Sequence, residues 1–307
     1  MAPRTKTLIF LLACVCILGA LYVRGVVQER NDAHTALKEQ SHFQKSFGAV
    51  ALIAKAAYVY DIKNRTSLFA RNEAVPLPLA SLTKVMTALT ALETLPEKAV
   101  ITVGSDALME DGDTGLYASE RWTLADLARY MLVVSSNDAA KAISIGTAKI
   151  IAPDQLGDSA FIDIMNQQAA ALHLMTMHFL NSDGLDALDL SSTGGMGSAR
   201  DMSIVSAELL RKFPDVFTAT ASPDIHVRSI DGFLHIAKNT NATTEKTQLL
   251  FASKTGFTDL AGGNLTIIFD AGPGRPIAIT VLGSTEEGRF SDVETLVRAT
   301  MRYITAK

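Results

Sequence analysis

The chain has 307 residues, 48% of them hydrophobic and 20% charged, and a formal net charge of −4. That balance belongs to a globular chain with a sizeable core and excludes a disordered or collagen-like polymer. No basic excess exists to hold a phosphate backbone, so nucleic acid is set aside as a partner, and two cysteines are too few for a disulfide framework.

A mean hydropathy of +0.20 points to an apolar surplus, and it sits at the start of the chain. Leu8 to Val23 carries no charge and follows Arg4 and Lys6. The run is slightly short for a bilayer span of ~17–25 residues; Thr7, Gly25, Val26 and Val27 extend it if Arg24 snorkels. A cleaved signal peptide wants a small residue at both cleavage positions, and Leu18-Gly19-Ala20 has a poor one at the first. A lipoprotein site at Cys14 leaves too short an apolar stretch before it. An uncleaved N-terminal signal anchor over residues 1–27 fits best, with a transmembrane helix and both cysteines inside it. Residues 28–47 are polar, without Pro or Gly, and read as a linker or helical stalk. A single globular unit over 48–307 follows.

In that unit Ala56 to Asp61 and Ser67 to Arg71 read as strands around the turn Lys63-Asn64-Arg65. Pro76 and Pro78 break the chain before a helix from Leu82 to Glu93, whose apolar stripe is Leu82, Val85, Met86, Leu89 and Leu92. Thr123 to Asp126 is a capping box ahead of a helix ending near Val134. Asp138 to Ile150 and Ser159 to Leu172 read as helices, and a second capping box, Ser198 to Asp201, opens one ending near Lys212. Gln248 to Ser253, Asn264 to Phe269 and Ile277 to Leu282 are apolar strands, and Phe290 to Thr305 is an amphipathic helix. Helices segregated from a largely antiparallel sheet make an α+β layout.

Three short motifs carry chemistry. Ser81-Leu82-Thr83-Lys84 puts a serine and a lysine on one helical face, with the serine at the positive end of the helix dipole. A desolvated lysine beside another cation loses its proton and serves as a base. With 21 serines and 14 lysines, about one such spacing arises by chance, so this motif alone is weak. Ser135-Ser136-Asn137 follows an apolar helix end, where Asn137 also suits a plain N-cap. Lys254-Thr255-Gly256 ends an apolar strand, where a glycine lets a substrate backbone come close.

Together and in this order, the three form an acylating-serine constellation. Their surroundings extend the match: Pro78 to Thr87, Ser135 to Ala140, and Lys254 to Asp259 followed by Ala261-Gly262. In the family that these motifs resemble, an Asn-Thr-Asn step is frequent where Thr240 and Asn241 stand. From residue 50 to the C-terminus the chain resembles the serine D-Ala-D-Ala carboxypeptidases, the low-molecular-mass penicillin-binding proteins. The resemblance implies a β-lactamase/transpeptidase-like fold, an antiparallel sheet flanked by helices plus a helical subdomain.

It also implies roles. Ser81 is the nucleophile toward the carbonyl between two D-Ala residues of a peptidoglycan stem peptide, and Lys84 takes its proton. Ser135 relays a proton to the leaving amine, and Asn137 holds Lys84 and the substrate. Lys254 and Thr255 read the terminal carboxylate, Gly256 lies between them and Phe257, and the N–H groups of Ser81 and Phe257 form an oxyanion hole. No metal or organic cofactor is implied, and β-lactams are expected to acylate Ser81. A D,D-endopeptidase cutting cross-links uses the same motifs, and an inactive wall-binding scaffold is the alternative outside catalysis. The implied place is the cell membrane, with the catalytic domain outside the cytoplasm. Many members carry a second β-rich domain and a C-terminal anchor; here one helix follows the last strand, and the N-terminal segment is expected to do the anchoring.

The chain departs from the family pattern at Ser136 and Ser253, where Gly is common, and at Asn181 to Leu185, where an Asn-Pro-His-Gly-Leu loop is usual. Arg289 stands near the position of a carboxylate-binding arginine, or on a plain surface helix. The six histidines show no ligand spacing. Asp111 to Gly115 reads as a surface turn, Met175 and Met177 as core, and Trp122 as packing beside the next helix.

Overall fold

The computed structural model describes residues 40–306 except 110–111, 113–114, 156, 188 and 245–248, together with scattered positions between 21 and 38. Val50–Met301 form one compact unit; the described residues up to Ala49 form another with those from Arg302 on. In that second unit residues 40–47 are helical, Phe43 stacks on Phe47, and His42 Nε2 lies 2.8 Å from the Tyr303 carbonyl. Most of the apolar segment Leu8–Val23 lies outside the described residues, as do parts of the 111–115 turn. Among the described residues no helix is long and apolar enough to cross a membrane.

The larger unit contains strands β1 (Ala56–Asp61), β2 (Thr66–Arg71), β3 (Leu77–Pro78), β4 (Val100–Thr102), β5 (Arg121–Thr123), β6 (His178–Phe179), β7 (Gly195–Gly197), β8 (Asp224–Arg228), β9 (Leu234–Lys238), β10 (Leu250–Thr258), β11 (Gly262–Asp270) and β12 (Pro276–Ser284). Its helices are α1 (Thr83–Thr94), α2 (Leu124–Val134), α3 (Asn137–Ile151), α4 (Ser159–Ala171), α5 (Ala199–Lys212), the short α6 (Pro214–Phe217) and, as far as Met301, α7 (Gly288–Thr305).

The five-stranded sheet runs in the order β10-β11-β12-β1-β2 and is antiparallel throughout. The middles of β11 and β12 are buried without alternation, as strands covered on both faces must be. Helix α5 packs on β12 and β1, and a buried file of hydroxyls runs from Ser203 to Thr280 of β12 (2.8 Å) and on to Thr266 of β11 (2.9 Å). Buried Asp292 on α7 accepts the N–H groups of Ile53 and Ala54 and the Ser284 hydroxyl, fastening that helix at the end of β12. The α+β layout and antiparallel sheet of the sequence reading hold.

The N-cap half of both boxes forms, with Thr123 Oγ1 accepting from the Asp126 N–H and Ser198 Oγ from the Asp201 N–H, while the Ser198 N–H donates to Thr176 Oγ1 instead of to Asp201. Trp122 is buried against Tyr130 of α2. Three expectations change. Helix α1 is buried on every side from Thr83 to Leu92, not along one stripe, because Thr87 and Lys84 find partners inside the protein. Met175 is 85% exposed, whereas Met177 is buried. The β8–β9 hairpin was not expected; its inward residues Val227, His235 and Ala237 are too few for a strong period, and a buried contact of His235 Nε2 with Glu120 Oε1 (2.7 Å) fastens it.

Candidate active site

Ser81 lies in a single 3-10 turn, Ala80–Leu82, that leads into α1. Ala80 has a φ of 49°, a left-handed conformation that turns the chain sharply before the serine. Buried Asn264 on β11 holds this turn: its Nδ2 donates to the carbonyls of Pro78 (2.9 Å) and Leu79 (3.1 Å), and its Oδ1 accepts from Gly283. A Cβ at Gly256 would stand 2.9 Å from the Leu79 carbonyl oxygen and 3.2 Å from the Ser81 nitrogen. The close approach that Gly256 permits is therefore with the chain's own serine turn.

Lys84 is fully buried, one turn along. Its Nζ donates to Ser81 Oγ (2.8 Å), Asn137 Oδ1 (2.7 Å) and the Asp183 carbonyl (2.7 Å). Asn137 makes this contact while Ser136 caps α3, accepting from the Ala139 N–H at 3.0 Å. The plain N-cap that Asn137 also suited is made by Ser136 instead. Ser135 ends α2 in a left-handed conformation, φ 63° and ψ 34°, so two helices meet with only Ser135 and Ser136 between them.

Lys254 Nζ donates to Ser135 Oγ (2.8 Å) and to the Thr255 carbonyl (2.7 Å). The Lys254-Thr255-Gly256 motif lies inside β10 and not at its end, paired with Thr266, Leu265 and Asn264. Thr255 Oγ1 lies 2.5 Å from Thr240 Oγ1. Ser81, Ser135, Thr240, Thr255, Gly256, Phe257, Glu286 and Arg289 line a common cavity of about 370 Å³. All eight residues singled out from the three motifs thus gather at one place: five line the cavity, and Lys84, Asn137 and Lys254 join it by hydrogen bonds. Chemically the arrangement offers a hydroxyl with an amine in proton-transfer reach, and a second hydroxyl-amine pair facing the same space.

Residues 42–285 match the sequence model of the D-alanyl-D-alanine carboxypeptidase (peptidase S11) family. The chain belongs to this family. Among its members, D-alanyl-D-alanine carboxypeptidase DacD of Escherichia coli (strain K12) is 31% identical over 245 residues, covering 75% of this chain and 58% of that protein. The chain spans about 60% of the length of the first curated relatives it matches. Penicillin-binding protein D2 of Listeria monocytogenes, solved with cefotaxime bound, is 30% identical, with a TM-score of 0.66 over 81% of this chain and 97% of that one. A D-alanyl-D-alanine carboxypeptidase structure from Mycobacterium tuberculosis is 23% identical with a TM-score of 0.71, covering 81% and 91% of the two chains, and shares the fold.

Against the S11 carboxypeptidase pattern, the departures here have structural outlets. The 181–185 loop closes on itself, Asn181 Oδ1 accepting from Gly184 and Asn181 Nδ2 donating to the Leu185 carbonyl, and so presents the Asp183 carbonyl to Lys84. Ser253 binds Thr220 through its N–H and its hydroxyl. Three contributors had escaped the sequence reading. Asp183 acts through a backbone carbonyl, which no side chain announces. Asn264 was hidden at the start of an apolar strand, where its polarity was the available signal. Glu286 lies in the loop after β12. Arg289 is not on a free surface: it is 7% exposed and its Nη1 donates to the Gly256 carbonyl at 2.9 Å.

Burial, then the charges of Lys84 and Arg289, hold the Lys254 ammonium well below its ordinary pKa of 10.5. Between the lowered value and 10.5 the unfolded chain binds the proton and the folded chain does not, so this group makes stability rise with pH across that window. Urea midpoints measured at increasing alkaline pH are expected to carry this slope, at most about 1.4 kcal/mol per pH unit, and Lys254→Met is expected to lose it. Equal slopes in the two proteins would contradict the shift.

Proposed function

We propose that the chain is a serine D,D-carboxypeptidase that removes the terminal D-Ala from peptidoglycan stem peptides and is inhibited by β-lactams. The observation that carries this reading is the buried Lys84 Nζ held 2.8 Å from Ser81 Oγ. In its neutral form Lys84 accepts the Ser81 hydroxyl proton as Oγ attacks the D-Ala carbonyl carbon. The oxyanion forms at the N–H groups of Ser81 and Phe257, an interaction worth about 3–4 kcal/mol per donor in acyl transfer. The carbon–nitrogen bond then breaks, the leaving amine takes a proton through Ser135, and water hydrolyses the ester on Ser81. Lys254, Thr255 and Arg289 bind the carboxylate of the departing D-Ala. The cefotaxime held by the 30%-identical Listeria relative supports β-lactams as covalent inhibitors here. The apolar run behind Arg4 and Lys6 supports an N-terminal anchor, with the catalytic unit outside the cytoplasm.

The test uses the full chain. A covalent band with fluorescent penicillin and free D-Ala from a pentapeptide are expected, with the protein in the membrane fraction. Cleavage of cross-linked dimers without D-Ala release would replace the reading with an endopeptidase. Absence of both label and product would leave a scaffold.

A further inference from the structure

The wall of the cavity includes one carboxylate that acyl transfer does not use. The Glu286 side chain is 59% exposed, and its Oε1 stands 3.9 Å from Arg289 Nη2, too far for a close ion pair. Arg289 itself is buried, and its Nε has no hydrogen-bond partner among the described residues. The wall of the cavity beside Arg289 therefore pairs a buried cation, with donor capacity left over, with an exposed anion.

If the carboxylate of the departing residue binds at Lys254, Thr255 and Arg289, as the reading above has it, the side chain of that residue starts next to it. The first side-chain carbon lies about 2.5 Å from the carboxyl carbon, and an extended lysine places its ammonium about 5 Å beyond that carbon. That reach covers the distance from Arg289 to Glu286 and beyond. A cationic tip meets Glu286 at the solvent boundary, an anionic tip is repelled by it, and a neutral tip gains nothing.

We propose that Glu286 is a specificity-determining residue for the leaving group, favouring C-terminal D-amino acids with a cationic side chain. Stem peptides ending in D-Ala–D-Lys are then substrates alongside those ending in D-Ala–D-Ala. The bond broken is the amide between the D-Ala carbonyl and the D-Lys α-amine. Ser81 holds the acyl group, the amine leaves with a proton, and water supplies the hydroxyl that completes the new carboxylate.

The test measures kcat/KM for full-length protein on N-acylated tripeptides that end in D-Lys, D-norleucine, D-Gln or D-Glu. D-Lys and D-norleucine match in length and differ in charge. Wild type is expected to prefer D-Lys by about three- to fivefold, with the preference shrinking in about 0.5 M salt. Glu286→Gln is expected to erase that ratio, and Glu286→Lys to favour D-Glu over D-Gln. A D-Lys to D-norleucine ratio that is the same in wild type and Glu286→Gln overturns the proposal, as does the absence of any preference in wild type. If no peptide is cleaved and no penicillin label forms, the acyl-transfer reading fails and takes the proposal with it.

Discussion

Replacing Ser81 with alanine is expected to abolish covalent labelling by fluorescent penicillin and to lower kcat for D-Ala release by at least about 10⁴-fold. The loss follows from the nature of the step. Without Oγ no acyl-enzyme forms, and Lys84, however well placed, has no proton to take. The fold is expected to survive, since the change removes one acceptor of Lys84 Nζ and leaves Asn137 Oδ1 and the Asp183 carbonyl in place. Thermal unfolding should move by no more than the equivalent of about 1–2 kcal/mol. An alanine variant that still labels would remove Ser81 from the mechanism. A variant that fails to label because it is unfolded would be exposed by its melting curve.

Gly184→Ala is expected to damage stability and activity together. Gly184 has a φ of +86°, and a Cβ there would stand 1.9 Å from the Ala80 carbonyl oxygen and 2.8 Å from Thr83 Oγ1. The backbone of the serine turn has no soft side chain to give way, so either the 181–185 loop or the turn must shift. The expected cost is about 3 kcal/mol or more, the sum of left-handed strain and overlap. The same shift disturbs both neighbours of the proposed reacting pair, because Ala80 precedes Ser81 and the Asp183 carbonyl holds Lys84. A displacement near 1 Å is enough to slow acylation about 100-fold. Gly274→Ala is the control: its φ is also positive, at +67°, but nothing lies within 4 Å of its Cβ position. It should cost about 1–2 kcal/mol and leave the labelling rate alone. A Gly184→Ala protein with wild-type melting and labelling would show that the contact is dispensable.

Much of this could be read from local rules. The two helix N-caps needed only a hydroxyl and an N–H three positions on, and both formed. The central strands announced themselves by unbroken apolar runs. The reading weakened where long-range partners override local pattern. Helix α1 was expected to show a polar side, yet Thr87 donates to the Ser182 carbonyl and Lys84 to that of Asp183, 99 residues away, so its polar residues are buried too. The Lys254 motif was expected at a strand end, but pairing with β11 carries β10 on to Thr258. Arg289 had the pattern of a surface helix until the Gly256 carbonyl and the cavity wall claimed it.

The order of three motifs was enough to single out the proposed reacting groups, because a nucleophile, its base and their helpers must be particular side chains. Which atoms hold those groups was beyond it. The Asp183 carbonyl is a backbone atom that every residue possesses. Ser136, not Asn137, caps α3, because Ser135 ends α2 in a left-handed turn. Gly256 is small for the sake of the Ser81 turn, which the chain places against it from 175 positions away. Such contacts depend on distance in space between chemically ordinary atoms, and only folding brings those atoms together.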